Sequence, residues 1–151
     1  YDNFIYHNLN KYVKTDFCMI VQTDGCPVNY EAWTDNFLKY HYIGSPWVWN
    51  PYVQLHQAVG NFGFSIRSKK LMEALSKYKY DSNEDGPEDE YICQTIDFFL
   101  KENDKLDFAP FEVARVFSVE NTLYTGSFGY HGRKTHEMNA AIGVHLPPQP
   151  D

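Results

Sequence analysis

The chain has little positive charge. Its 13 Lys and Arg stand against 20 Asp and Glu, for a net charge of −7. A partner that presents a phosphate backbone needs a surplus of cations to neutralise it, so a nucleic-acid partner is excluded as an expectation. No run approaches the eighteen or so apolar residues that cross a bilayer, and no leader-like segment is visible, so no membrane span is expected in this chain. Cysteine is scarce. Cys18, Cys26 and Cys93 are odd in number and lack metal-site spacing, which predicts reduced thiols and a cytoplasmic setting. No internal repeat is present. Neither the P-loop nor the G-x-G-x-x-G fingerprint occurs, since Gly60-Asn61-Phe62-Gly63 has the wrong spacing. No Ser-His-Asp or Cys-His nucleophile arrangement stands out.

What the chain has in excess is aromatic side chain, 17% of 151 residues, with 12 Tyr and 11 Phe. Flat rings suit sugar and nucleotide sites, and equally suit a core. The length predicts one domain, residues 1–151. Phe4, Ile5, Leu9, Tyr12 and Val13 recur at helical spacing, which predicts a helix over 3–13. Phe17 to Val21 is an unbroken apolar run and predicts a central strand buried on both faces. A short strand is expected near 40–44, stopped by Ser45-Pro46, followed by an aromatic loop from Trp47 to His56. Ser68 is expected to cap a helix carrying Leu71, Met72 and Leu75. Pro87 is expected to begin another, with Ile92, Ile96, Phe99 and Leu100 buried. The alternation from Ala114 to Val119 predicts a strand, and the segment after Gly126 reads as irregular. Helices and strands alternate, so the predicted class is α/β, a mixed sheet flanked by helices.

Several groups carry candidate chemistry. Asp24 follows the apolar strand directly, where open α/β sheets place ligands. A carboxylate there can hold a divalent metal; as half of an Asp-Gly pair it can equally form a turn. Glu88 and Asp89 can supply a general base, or can simply meet the dipole of a helix start. His131 and His136 can bind Mn2+ or Zn2+, or be solvated loop residues. Arg133 and Lys134 beside them can contact phosphate or be plain exposed charge. Trp47 and Trp49 can stack on a sugar or fill the core.

Taken in order, Gln22-Thr23-Asp24-Gly25, Tyr42-Ile43-Gly44-Ser45-Pro46-Trp47, Val59 to Ser68, Pro87-Glu88-Asp89 and Phe128-Gly129-Tyr130-His131-Gly132 resemble a family of uncharacterised domains with a GT-A-type glycosyltransferase fold. The resemblance runs from Tyr1 to about Gly132. It implies transfer of a sugar from a nucleoside-diphosphate donor to a hydroxyl acceptor, assisted by a divalent metal, Mn or Mg. It implies that Asp24 and His131 serve the metal and diphosphate, and that Asp89, with Glu88, forms the catalytic acid pair. Gly60, Asn61, Gly63, Trp47 and Arg67 would bind substrate. The chain would then be the C-terminal portion of a catalytic domain whose nucleotide-binding strands precede it. The other reading is a carbohydrate-binding or structural remnant of the same fold. Asp24, Asp89 and His131 are expected to converge on one cleft.

Overall fold

The computed structural model describes residues 2–48 and 59–147. Trp49, His56 and the end of the Pro-rich tail lie outside the described residues. Helix α1 (Asp2–Tyr12) buries Ile5 and Tyr6 and leads to strand β1 (Phe17–Val21). Strand β2 (Gly25–Pro27) follows one tight turn later. Short strands β3 (Tyr42–Ile43), β4 (Ser45–Pro46) and β5 (Val59–Gly60) precede β6 (Phe64–Ser68). Helix α2 (Lys69–Leu75) starts where β6 ends, and the Ser68 hydroxyl accepts the Leu71 N–H at 3.0 Å. That is the cap expected of serine at this position.

The sheet around β1 is antiparallel, in the order β1-β6-β3. The expectation of β1 as a central strand buried on both faces is therefore corrected. It lies at the edge, and Val21 is 48% exposed. The central strand is β6, in which all five residues are buried. Its sequence, Phe-Ser-Ile-Arg-Ser, conceals this because Ser65, Arg67 and Ser68 are polar. A second sheet has the order β2-β8-β7, where β7 is Ser118–Glu120 and β8 is Gly129–His131. It is mixed, since β2 runs antiparallel and β7 parallel to β8. The third sheet is the pair β4-β5. Pro46, expected to stop a strand, sits within this pair; a two-residue edge strand tolerates its missing donor. The class is thus α/β, with small sheets among helices.

Helix α3 (Glu88–Glu90) runs through a π-helical turn, Tyr91–Thr95, into α4 (Asp97–Glu102). The π turn adds a residue and shifts the helical phase. Ile92, Ile96 and Leu100 are buried as expected, while Phe99 is turned outward. Residues 111–117 form helix α5 (Phe111–Phe117) after Pro110, so most of the strand expected over 114–119 is helical. Ala114 and Phe117, three apart, face the core, and over so short a run helix and strand periods overlap. After Gly132, at φ +89°, the segment expected to be irregular forms α6 (Arg133–Ala141). Its buried positions are Thr135 and Asn139. A polar buried face gives no apolar period to read.

The aromatic excess is mostly core. One cluster gathers Tyr6, Tyr42, Trp47, Leu71, Leu75, Ile92 and Leu100; the other gathers Phe37, Ile43, Phe64, Ile66, Phe117 and Phe128. The β3–β4 link at Gly44 lies against the backbone of Gly60. A Cβ at Gly44 would fall 1.7 Å from the Gly60 carbonyl oxygen. Gly44→Ala must push β4 and β5 apart, and overpacking of this kind costs about 1–3 kcal/mol. A lowered urea midpoint with an unchanged slope is the expected result.

Candidate functional site

The turn after β1 is built by backbone bonds. The Gln22 N–H donates to the Gly63 carbonyl at 2.7 Å, and the Gly25 N–H to the Gln22 carbonyl at 3.0 Å. This leaves Asp24 at the strand end, its backbone carbonyl accepting the Gly132 N–H at 2.9 Å. Across the second sheet, His131 faces Gly25 on one side and Glu120 on the other. Its imidazole lies between two carboxylates. Nε2 is 3.0 Å from Asp24 Oδ1, and Nδ1 is 3.0 Å from Glu120 Oε1. Burial works against a charge on this ring, but the Glu120 and Asp24 carboxylates outweigh it and hold the His131 pKa above its usual value.

Asn61 joins this group to the acid pair. Its φ of +86° is left-handed, a region that asparagine tolerates better than most residues. In that conformation all its polar groups are used. Oδ1 accepts the Phe64 N–H at 2.7 Å, which fixes the amide so that Nδ2 lies 2.8 Å from His131 Nδ1; that nitrogen accepts the Asn61 N–H when it is unprotonated and donates to Glu120 when it is protonated. The backbone N–H donates to Asp89 Oδ2 at 3.1 Å, and the carbonyl accepts the Tyr42 hydroxyl at 2.9 Å. Asp24, His131 and Asp89, expected to converge, thus form a chain of contacts: Asn61 joins Asp89 to His131, and His131 reaches Asp24. Burial first, and then the Glu120 charge, raise the Asp89 pKa against the pull of Arg67.

The two glycines are required by close approach. A Cβ at Gly63 would fall 2.0 Å from His131 Nε2 and 2.4 Å from Gln22 Oε1, and one at Gly60 would strike the Trp47 ring at 1.9 Å. Trp47 is 3% exposed and packs in the core, so the expectation that it stacks on a sugar is corrected. Arg67 and Glu88 are also closed off. Their side chains form a buried pair, bonded through both nitrogens and both oxygens, Nη1 to Oε1 and Nη2 to Oε2 at 3.1 Å. Arg67 further donates from Nε to Ser65 Oγ at 3.3 Å and lies over the Tyr42 ring. Burial opposes its charge, yet Glu88 holds its pKa above the ordinary value. Burial pushes the Glu88 carboxyl up while Arg67 draws it down; the two-point geometry favours the ionised pair. The expected roles of Arg67 in substrate binding and of Glu88 in catalysis give way to a structural one: the pair anchors the start of α3, and so Asp89, to β6.

A family model described as a protein of unknown function, DUF5672, matches residues 2–131. The chain belongs to that family. No curated protein and no solved structure matches it. The DUF5672 match takes in every residue of the cluster, from Asp24 through Asn61, Asp89 and Glu120 to His131. It stops before α6, which carries the half-buried His136 and the exposed Arg133, bonded to Glu137 at 2.8 Å.

The residue that sequence reasoning missed is Glu120. No local signal marks it: β7 is the short run Ser-Val-Glu, and Glu120 meets His131 only through the parallel pairing with β8. Beside the cluster, Val21, Gln22, Thr23 and Asp24 line an open depression of about 410 Å3. Among the described residues, no group of three or more His, Cys, Asp or Glu is arranged to hold a metal ion. Asp24 and His131 Nε2 offer two donors, with Glu120 behind Nδ1 to fix the ring. Two protein donors suit only a cation that fills its remaining positions from outside the protein. They do not fit a closed structural site.

Two outcomes follow from these contacts. Removing one partner of a buried ion pair strands the other, so Arg67→Met or Glu88→Gln should each cost about 3–5 kcal/mol, and the combined Arg67→Met/Glu88→Leu change much less. Chemical denaturation of the three variants measures this. Second, the folded state holds the His131 proton more tightly than the unfolded chain. The stability it contributes is full below the unfolded value of about 6.5 and is lost as pH rises through the higher folded value. His41 is shifted the other way, by burial and Lys70, so its window lies below the unfolded value. With a chelator present, the wild-type midpoint should fall as pH rises above about 6.5, and His131→Gln should flatten that slope.

Proposed function

We propose that this site belongs to a glycosyltransferase of the GT-A type, in which a sugar passes from a nucleoside-diphosphate donor to a hydroxyl acceptor. The observation that carries the reading is the meeting of strand-end Asp24 with His131 beside an open depression, with Asn61 between His131 and Asp89. Asp24 and His131 Nε2 would hold a divalent cation, Mn or Mg; when bound, it neutralises the diphosphate leaving group. Glu120 holds Nδ1 and so keeps Nε2 turned toward Asp24. Asp89 is the base for the acceptor hydroxyl. It is only partly exposed, and its raised pKa brings it closer to the working range of a general base. The backbone N–H of Asn61 fixes the Asp89 carboxylate through Oδ2. Val21 to Asp24 provide the floor for the donor. The missing match to any curated enzyme places no constraint on the donor sugar.

One observation favours a second reading, a non-catalytic carbohydrate-binding or structural remnant. With both ring nitrogens against carboxylates, His131 is also a clasp that joins β8 to β7 and to the turn after β1. The two readings part on metal and turnover. In the transferase, Mn2+ should broaden the NMR signals of His131 and Asp24 selectively, and a panel of nucleoside-diphosphate sugars should show metal-dependent transfer or hydrolysis. Asp89→Asn keeps the shape and the Asn61 bond but cannot take a proton. It should lower turnover by about two to four orders of magnitude while donor affinity hardly changes. Undiminished turnover in Asp89→Asn would remove Asp89 as base. No selective broadening by Mn2+ would favour the clasp.

A further inference from the structure

At the opposite end of β1 from Asp24, roughly 13 Å along the strand, lies a larger cavity. It measures about 460 Å3, and its walls include Asp16, Lys39, His41, Lys69, Lys70 and Glu73. Pockets that hold small ligands fall in this size range. Nothing in the transferase reading uses it.

Its charged groups are not equivalent. Lys69 is committed: its ammonium donates to the carbonyls of Asn10 and Val13 at the end of α1. Glu73 lies 3.9 Å from the same ammonium, so these two charges largely offset each other. Lys39 ends the 3-10 turn Asp35–Lys39 and is bonded to no protein group among the described residues. Lys70 is exposed and makes one long bond, 3.3 Å, to the Lys105 carbonyl. His41 is fixed. Its Nδ1 accepts the Asp107 N–H at 2.9 Å, so the neutral ring carries its proton on Nε2 as a donor. The Lys70 ammonium lies near enough to disfavour a second positive charge on that ring. Two ammonium groups and one oriented N–H donor lining one cavity suit an anion with several acceptor oxygens. Asp16, exposed on the rim, repels such an anion unless the ligand brings hydroxyl donors to it.

We propose that this cavity is a second binding site, for a small hydroxylated phosphomonoester, with Lys39, Lys70 and His41 on the phosphate and Asp16 on a hydroxyl. It is independent of the site at Asp24 and His131. The test is titration of the full chain with glycerol phosphate, inorganic phosphate and chloride at constant ionic strength, read by amide NMR shifts. Saturable movement centred on residues 38–41 and 68–70 is expected for both phosphates and not for chloride. Lys39→Ala/Lys70→Ala should weaken both phosphates by at least about tenfold. Lys79→Ala, at an exposed side chain outside the cavity lining, should leave them unchanged, and Asp16→Asn should weaken glycerol phosphate alone. All four positions are on the surface, and a thermal melt confirms that the variants fold. Three results would overturn the site: no saturable shift, undiminished binding in the double variant, or an equal loss in Lys79→Ala, which would mark a diffuse charge effect. Equal behaviour of the two phosphates in Asp16→Asn would overturn the hydroxyl contact and with it the ligand class.

Discussion

Asn61 is the residue on which the arrangement depends. One left-handed residue bonds to β6 through Phe64, to β3 through Tyr42, to the start of α3 through Asp89 and to β8 through His131. No other side chain replaces all of these at once. Aspartate has the shape but lacks the Nδ2 donor. Glycine reaches the backbone conformation but loses both side-chain bonds. The flanking Gly60 and Gly63 serve the same end, because each removes a Cβ from a place that Trp47 or His131 occupies. The turn is thus specified by contact on every side.

The buried Arg67–Glu88 pair supports that turn from beneath. A charged pair taken out of water costs heavily unless its geometry and remaining bonds are good. Here Ser65 and the Tyr42 ring complete the surroundings of the guanidinium. Glu88 and Asp89 therefore divide their roles by direction. The first points into the protein to a cation, and the second points across to Asn61.

Much of this was legible in the sequence, for identifiable reasons. The Ser68 cap follows from local chemistry and is found as read, and the first helix is found at Asp2–Tyr12, although Phe4 and Tyr12 of its expected apolar face are exposed and Tyr6 is buried. The approach of Asp24, Asp89 and His131 to one another was expected from a series of motifs, each at the end of an element; the part of Asn61 in joining them was not. The errors came where polarity and burial part company. Strand β6 is central despite two serines and an arginine, because Arg67 has its partner 21 residues away. Apolar β1 is at the edge of its sheet, where Ile20 alone of its five residues is buried and Val21 is exposed. Helix α6 was hidden because Asn139 satisfies itself inside the protein, donating to the Thr135 carbonyl and accepting from the Tyr124 N–H. Glu120 escaped notice because its meaning lies in parallel pairing with β8, which no local pattern encodes.

The parallel pairing of β7 with β8, and the reach of Asn61 to a histidine 70 residues on, have a kinetic consequence. Loop-closure entropy must be met before such distant contacts stabilise anything. Helices α1 and α2 can form early from local bonds. The cluster around His131 cannot exist until strands from both ends of the chain have docked. During folding it is among the last features to assemble, and in the native protein it reports on completion of the whole fold.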